Sequence, residues 1–325
     1  MRALAVALAL LLAAGCGMQT DGPLELRLGH VANPGSMTDD AAQEFARRAN
    51  HKLEGRAHIS VFGSSQLGDD QTLLLKLKLG TVDFSVPSTI MSTVVDAFGF
   101  FEMPYLIEDR AHVVKIREGV FWPAVAPRAE AKGYRVLAMW ENGFRQITNN
   151  VRPIVRPEDL AGVKLRTPRG RWRLRLFQSY GANPTPMSLS EVFVALQTGV
   201  IDGQENPLSQ IYTSKFQEVQ RYLSMTNHVY SPAFLAVGLE RWGSLPPEVR
   251  AAAEEAALET QQWVLDRAEQ VDRDLLTKLE SDGIAVNQAD RKAFVDASQT
   301  IYREFGQEVD GGSHWIDQAL ALAAE

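Results

Sequence analysis

One cysteine, Cys16, stands in the whole 325-residue chain. A single thiol forms no internal disulfide and supplies no thiolate set for a structural zinc, so stability must come from core burial. The six histidines (His30, His51, His58, His112, His228, His314) are scattered, and none pairs at i, i+4 as a helix-borne metal pair does. Catalytic signatures are missing as well: there is no G-x-S-x-G, no G-x-x-x-x-G-K-[ST], no H-E-x-x-H and no helix-opening G-x-G-x-x-G. Neither a metal nor a cofactor is expected, and an enzymatic reading lacks a nucleophile, a base and a metal. Basic residues are outnumbered, 33 to 40, for a net charge of −7. Such a surface suits nucleic acid poorly, because phosphate contacts need a basic face. Beyond residue 15 no long uncharged apolar run occurs, which argues against a membrane-spanning helix, since that needs ~20 apolar residues. There is no repeat at solenoid spacing.

What is present begins at the amino end. Arg2 precedes an unbroken apolar run over residues 3–14, closed by Gly15-Cys16, which is the layout of a secretory signal. The segment LLAAGC, ending at Cys16, resembles a bacterial lipobox. That resemblance implies a diacylglycerol on the Cys16 sulfur, with 1–15 as signal peptide, 16–23 as a lipidated linker and an extracytoplasmic, membrane-tethered chain. An ordinary cleaved signal with a chance cysteine is the alternative.

With 45% hydrophobic and 22% charged residues and no low-complexity tract, the rest reads as globular. Roughly 310 residues suffice for two domains. Charge is unevenly spread. Residues 145–175 hold eight arginines and Lys164 against Glu158 and Asp159, a net +7, which leaves −14 for the remainder. A positive focus in an acidic protein suits an anion site. Most of these arginines would still be satisfied by surrounding acids.

Strand-like and helix-like segments alternate. Residues 24–28 alternate apolar and polar as a half-buried strand does. Ser36 and Asp39 stand at capping-box spacing before a helix through Phe45, Ala49 and Leu53, closed by Gly55. Residues 58–62 read as a strand, Asp69-Asp70 open a helix ending at Gly80, and 82–86 read as a third strand. Two acids at a helix start are explained by the macrodipole, without a metal. This βαβαβ run argues for a parallel sheet with covering helices. Ligands in such sheets sit beyond the strands' carboxyl ends, which makes the loops 29–35, 63–68 and 87–89 a candidate rim. A second α/β set follows: strands at 134–140, continued by 145–148, and at 163–166, a helix capped by Ser188 or Ser190, and a short strand at 200–201. From Pro247 apolar residues recur at helical spacing to a stop at Gly283, about 50 Å at 1.5 Å per residue, long enough to span two domains as one strut or to break into two helices.

Arginine suits a carboxylate because its planar fork matches two oxygens. Arg166 ends a short strand before Thr167-Pro168, and spacing alone leaves open whether it points into a cleft or pairs at the rim. Asn206, in Gln204-Glu205-Asn206-Pro207, falls in a loop before a proline, where a turn role is the plain alternative.

Several segments carry a family resemblance: SSQLGDD (64–70), WENGFRQITNN (140–150), RPIVRPEDLAGVKLRTP (152–168), GANPTPMSLSEVFVALQTGVIDGQENPL (181–208) and KFQEVQRYLSMTNH (215–228). The chain resembles the substrate-binding proteins of tripartite ATP-independent periplasmic (TRAP) transporters, of the dicarboxylate-receptor type. The resemblance implies an α/β, two-domain periplasmic-binding-protein fold with hinge strands and one long domain-spanning helix. It places one domain over 24–143 plus 232–272 and the other over 144–231 plus 273–325. It further implies closure around a small organic acid, a dicarboxylate or sugar acid, and delivery to a TRAP-type membrane permease. Arg166 matches the family arginine that forks the substrate carboxylate, Asn206 the asparagine that supports it, and Arg145 a second cation. Arg169 adds a third, and Ser88, Leu189, His30 and Tyr230 complete the expected ligand-binding set. Leu189 and Ser88 stand where the sialic-acid receptors carry an aromatic and an acid, which turns the expectation toward a ligand with two anionic groups, a C4-type dicarboxylate or a sugar diacid. A ligand sensor feeding a signalling partner, and more distantly a secreted α/β enzyme, are the competing readings.

Overall fold

The computed structural model describes residues 22–324. The expected signal peptide and Cys16 lie outside them. The chain order is β1 (Leu24–Gly29), α1 (Met37–Leu53), β2 (Ala57–Phe62), α2 (Asp70–Lys78), β3 (Phe84–Ser85), α3 (Arg110–Ile116), β4 (Tyr134–Asn149), β5 (Lys164–Thr167), α4 (Arg171–Ser179), β6 (Asn183–Pro186), α5 (Leu189–Gln197), β7 (Gly203–Pro207), α6 (Leu208–Thr213), β8 (Tyr222–Met225), β9 (Tyr230–Gly238), α7 (Leu239–Ser244), α8 (Pro247–Ser281), β10 (Ala285–Gln288), α9 (Arg291–Glu308) and α10 (Gly312–Ala323).

Local chemistry sets the first helices. Ser36 Oγ accepts from Asp39 N at 3.2 Å to cap α1, which ends at Glu54 in the left-handed region, just before Gly55. Asp69 Oδ1 accepts from Thr72 N at 2.9 Å and caps α2. Strands β2, β1 and β3 lie parallel, with Leu26 and Leu28 buried beneath. The third strand is shorter than expected, because the Asp83 carboxylate takes Arg27 N at 2.7 Å and replaces a ladder bond. Residues 200–201 are a turn, not the expected strand: Gly199 (φ +71°) ends α5, Ile201 N bonds back to Ala195 O, and extended pairing starts at Gly203.

The sheet runs β2-β1-β3-β9-β4-β7-β5-β6, with β8 pairing both β4 and β10. Strand β4 holds its two halves together. Its first part pairs antiparallel with β9, and its end pairs with β7 on one edge and β8 on the other. Two register shifts interrupt β4–β9. At the first, between Val136 and Ala138, Met139 N is met by Gln261 Oε1 of α8 at 3.0 Å. At the second, between Glu141 and Gly143, the chain turns through Gly143 at φ +126°. There the buried Glu141 carboxylate accepts from Tyr230 Oη at 2.6 Å and Arg110 Nη2 at 3.1 Å, and Arg110 also pairs with Asp272 of α8.

Helix α8 is one uninterrupted element of 35 residues. Its first half buries Ala252, Ala253, Ala256 and Ala257 in one core with Ala41, Ala42, Ala46 and Ala49 of α1, small side chains that let the two helices approach closely. Its far end contributes Leu279, with Leu275 and Leu276, to a separate core around Phe216, Ile211 and Leu196. One helix thus buries its ends in two lobes. A third core runs from Phe98, Phe121 and Phe234 to Trp172, Phe294 and Phe305 and links them. Helix α10 packs back on the first lobe: Ala319 O meets His112 Nε2 at 2.9 Å, and Lys115 Nζ donates to Leu322 O at 3.2 Å, satisfying a carbonyl of the last turn. Among the described residues no helix is long and apolar enough to cross a membrane.

Candidate ligand-binding site

Between the lobes lies a cavity of about 70 Å³. Val31, Thr38, Asp70, Val86, Ser88 and Thr89 line it from the first lobe, Asn142 from the register shift of β4 at the hinge, and Arg145, Arg166, Leu189, Asn206 and Gln210 from the other side. Five of the eight expected ligand-binding residues therefore meet here: Arg166, Asn206, Arg145, Ser88 and Leu189. Arg169 does not line this cavity; the chain turns at Pro168 and puts it at a smaller one beside Asp69 and Ser188. His30 is buried behind the rim, 3.3 Å from Asp39. Tyr230 sits in the hinge, its hydroxyl given to Glu141. Asn206 is not in a loop but in β7, opposite Gln146 of β4.

The two arginines of the cavity differ in state. Arg145 is buried and bound to Glu205 through both Nε and Nη2, with Nη2 also donating to Asn206 Oδ1 at 3.1 Å. Its charge is already met. Arg166 is buried too, at 3% exposure, but its Nε and Nη2 hold only the carbonyl of Met187, at 3.0 and 2.6 Å. Among the described residues no carboxylate lies within ion-pair distance of Arg166, and burial pulls its pKa down to about 10. That is a desolvated cation with a free edge toward the cavity. Asn206 Nδ2 donates to Gln204 Oε1 at 2.6 Å, which fixes the amide plane beside it.

Behind the cavity runs a chain of charges that sequence reasoning missed. Glu205, with no exposed surface, also accepts from Arg173 Nη1 at 2.6 Å and from His228 Nε2 at 3.0 Å. Burial alone would raise its pKa, but Arg145 and Arg173 outweigh that and hold it well below the usual carboxylate range. His228 is pushed down to about 4 by burial, so it is neutral at pH 7, donating through Nε2 while Nδ1 accepts from Thr226 Oγ1 at 2.8 Å. Arg173 Nε stands 3.6 Å from Glu102, whose pKa burial raises.

Asp70 was also missed, because a helix start explains an acid without further function. Its neighbour Asp69 is the cap, and Asp70 itself lines the cavity facing Arg166. Burial raises its pKa to about 6, with Arg166 opposing. Ser88 gives its hydroxyl to Pro232 O at 2.7 Å. No group of three or more His, Cys, Asp or Glu able to hold a metal occurs among the described residues.

A larger groove, about 770 Å³, opens on the other face of β4, where Phe144 and Gln146 point. Its Arg110 and Arg273 are paired with Asp272 and Glu269, and Arg291 lies against the Tyr105 ring. Two of its three arginines are therefore already paired.

Comparison with known proteins identifies the family. Residues 28–308 match the family model described as bacterial extracellular solute-binding protein, family 7 (DctP). The 2,3-diketo-L-gulonate-binding periplasmic protein of Escherichia coli is 31% identical over 291 residues, covering 89% of this chain and 89% of that protein. A TRAP periplasmic solute-binding protein from Polaromonas, solved with D-erythronate bound, superposes with a TM-score of 0.88 at 32% identity over 93% of this chain and all of that one. Another, from Sulfurospirillum deleyianum with succinate bound, gives 0.88 at 30% identity over 93% and 99% of the two chains. Fold, hinge, strut helix and matched motifs converge: this chain belongs to family 7 of the bacterial extracellular solute-binding proteins, the periplasmic receptors of TRAP transporters.

Proposed function

We propose that this receptor captures a compact, polyhydroxylated monocarboxylate, a sugar acid of the aldonate or uronate kind, and delivers it unchanged to its permease. The observation that carries this reading is the pairing of one uncompensated guanidinium, Arg166, with one acid, Asp70, across the same cavity. Of the three cations expected to greet a diacid, Arg145 is neutralised by Glu205, and Arg169 lines not this cavity but a smaller adjoining one that shares Arg166 and Asp70 with it. A carboxylate on Arg166 and Asn206 would leave the rest of the ligand facing Asp70, Thr38, Thr89, Asn142 and Gln210. Those groups suit hydroxyls, and the Asp70 carboxylate would repel a second anion. A volume of about 70 Å³, several water molecules' worth, fits a short acid better than a nine-carbon sugar. Relatives that bind diketogulonate and erythronate point the same way, while the succinate-bound relative keeps a C4 dicarboxylate as the second reading.

The test is a thermal-shift screen of aldonates, uronates and C4 dicarboxylates. Ligand at 100 times its Kd adds about 2.7 kcal/mol to stability, a readily seen rise in melting temperature. A screen in which only diacids shift the protein would reverse the order of the two readings. Asp70→Asn sharpens it. Sugar-acid affinity is expected to fall about tenfold as a charged hydroxyl acceptor is lost, while succinate binding improves. Equal effects on both classes would remove Asp70 from the site.

Our reading of the two lobes as moving units keeps the boundary at 143/144, beside the Gly143 bulge, and assigns α10 to the first lobe on which it packs. We further propose that Cys16 is lipidated. Cys16→Ala should then move the protein from the membrane fraction to the soluble periplasmic fraction; unchanged partitioning would exclude the anchor.

A further inference from the structure

Several hydrogen bonds cross from one lobe to the other without lining the cavity. Met37 is the first residue of α1, so its N–H is one that a helix leaves unsatisfied. It donates to Ser209 Oγ of α6 at 2.7 Å, and both residues are buried. Nearby, Asn33 Nδ2 donates to Thr213 O at 3.3 Å and Ser214 Oγ at 3.2 Å. On the other side of the mouth, Ser188 Oγ donates to Asp69 Oδ2 at 3.0 Å, so the capping residues of α2 and α5 meet. None of Asn33, Met37, Asp69, Ser188 and Ser209 belongs to the lining of the main cavity.

We propose that Ser209, Asn33 and Ser188 are positioning residues of closure, which set how long the acid stays bound without touching it. The inference rests on the two-lobe receptor reading above. When the lobes part, each donor and acceptor turns to water. When they close, Ser209 is the one acceptor of the buried Met37 N–H among the described residues. Replacing Ser209 by alanine leaves that N–H unpaired in the closed form alone, so the penalty falls on closure and not on folding. Apparent affinity scales with the closed, binding-competent fraction. Because the acid leaves from the open form, the change should appear in the off-rate.

The experiment is stopped-flow binding of D-galactonate, D-glucuronate and succinate to the full mature chain, with melting temperatures of the ligand-free proteins. Ser209→Ala is expected to raise koff about tenfold and Asn33→Ala about threefold, with kon nearly unchanged, since Ser209→Ala loses one short bond between buried groups and Asn33→Ala two longer, part-buried ones. Ligand-free melting temperatures should stay at the wild-type value. Unchanged koff in both variants overturns the proposal, as does a lower ligand-free melting temperature with no kinetic change, which would mark a merely structural role. Arg166→Ala run in parallel separates the two readings: if it binds normally the acid site is misassigned, whatever the serine kinetics show. If none of the three acids binds the wild type, the ligand class falls and this proposal with it.

Discussion

Arg166→Ala is expected to weaken acid binding by about a thousandfold while leaving the ligand-free protein as stable as before. The two halves of that expectation have one cause. Truncating one partner of a buried charge pair costs roughly 2–5 kcal/mol or more, and every 1.4 kcal/mol is tenfold in Kd. In the closed form Arg166 is a buried cation whose protein bonds, among the described residues, go to the Met187 carbonyl alone, and its lowered pKa records that burial disfavours its charge. Closure therefore buries a charge that no protein carboxylate meets, and the ligand carboxylate removes that penalty on binding. Arg166→Lys should fall between, because a point charge keeps the attraction but loses the planar fork. Calorimetric titration together with ligand-free melting curves checks both halves. A Kd within tenfold of wild type would remove Arg166 from the carboxylate site. A large drop in ligand-free stability would make it a structural residue instead.

The legible parts of this fold were those with local chemistry. Helix α1 announces itself through Ser36 and Gly55, α2 through Asp69, and α8 through alanines at helical spacing over 35 residues. Strand β9 is illegible for an equally physical reason. Its sequence YSPAFLAVG is buried along its whole length, so it shows no alternation, and Pro232 argues against an interior strand. Pro232 is tolerated because it faces Glu141 at the second register shift, where the ladder is already interrupted. At the site, Arg166 and Asn206 enter the expected set through the family resemblance, where spacing alone leaves them open, and both line the cavity. That Arg145 is neutralised is not legible in that way, since Glu205 and its second arginine, Arg173, are brought together by the sheet and α4 over a separation of 32 residues. A positive window in the sequence counts charges; only the fold says which of them are already paired. Here that moves the proposed ligand, within the expected dicarboxylates and sugar acids, from two anionic groups toward one with hydroxyls.

Glu205→Gln should destabilise the protein by about 3–5 kcal/mol, the usual range for removing one partner from a buried ion pair. At roughly 2–4 °C per kcal/mol for a chain of this size, the melting temperature should fall by about 10 °C. Glu205 is the shared acceptor of Arg145, Arg173 and His228, all of them buried, so neutralising it leaves two guanidiniums with an amide in place of a carboxylate. The pH dependence identifies the cause. In the wild type, Glu205 has a pKa below its ordinary value of 4.5, so its contribution is present above about pH 4.5 and is lost as acid protonates it. His228 is lowered from 6.5 to about 4, so between those values the unfolded chain takes up a proton that the folded chain refuses. Stability therefore falls as pH drops through that window as well. In Glu205→Gln the first contribution is absent, and the gap from wild type should be widest near pH 7.5 and close as the pH falls below about 4.5. His228→Gln should instead flatten the slope between pH 6.5 and 4. Melting curves at half-unit pH intervals resolve the two. A gap that stays constant down to pH 3 would mean that Glu205 acts through packing rather than charge, and the chain of ions behind the cavity would then be incidental to the stability of the receptor.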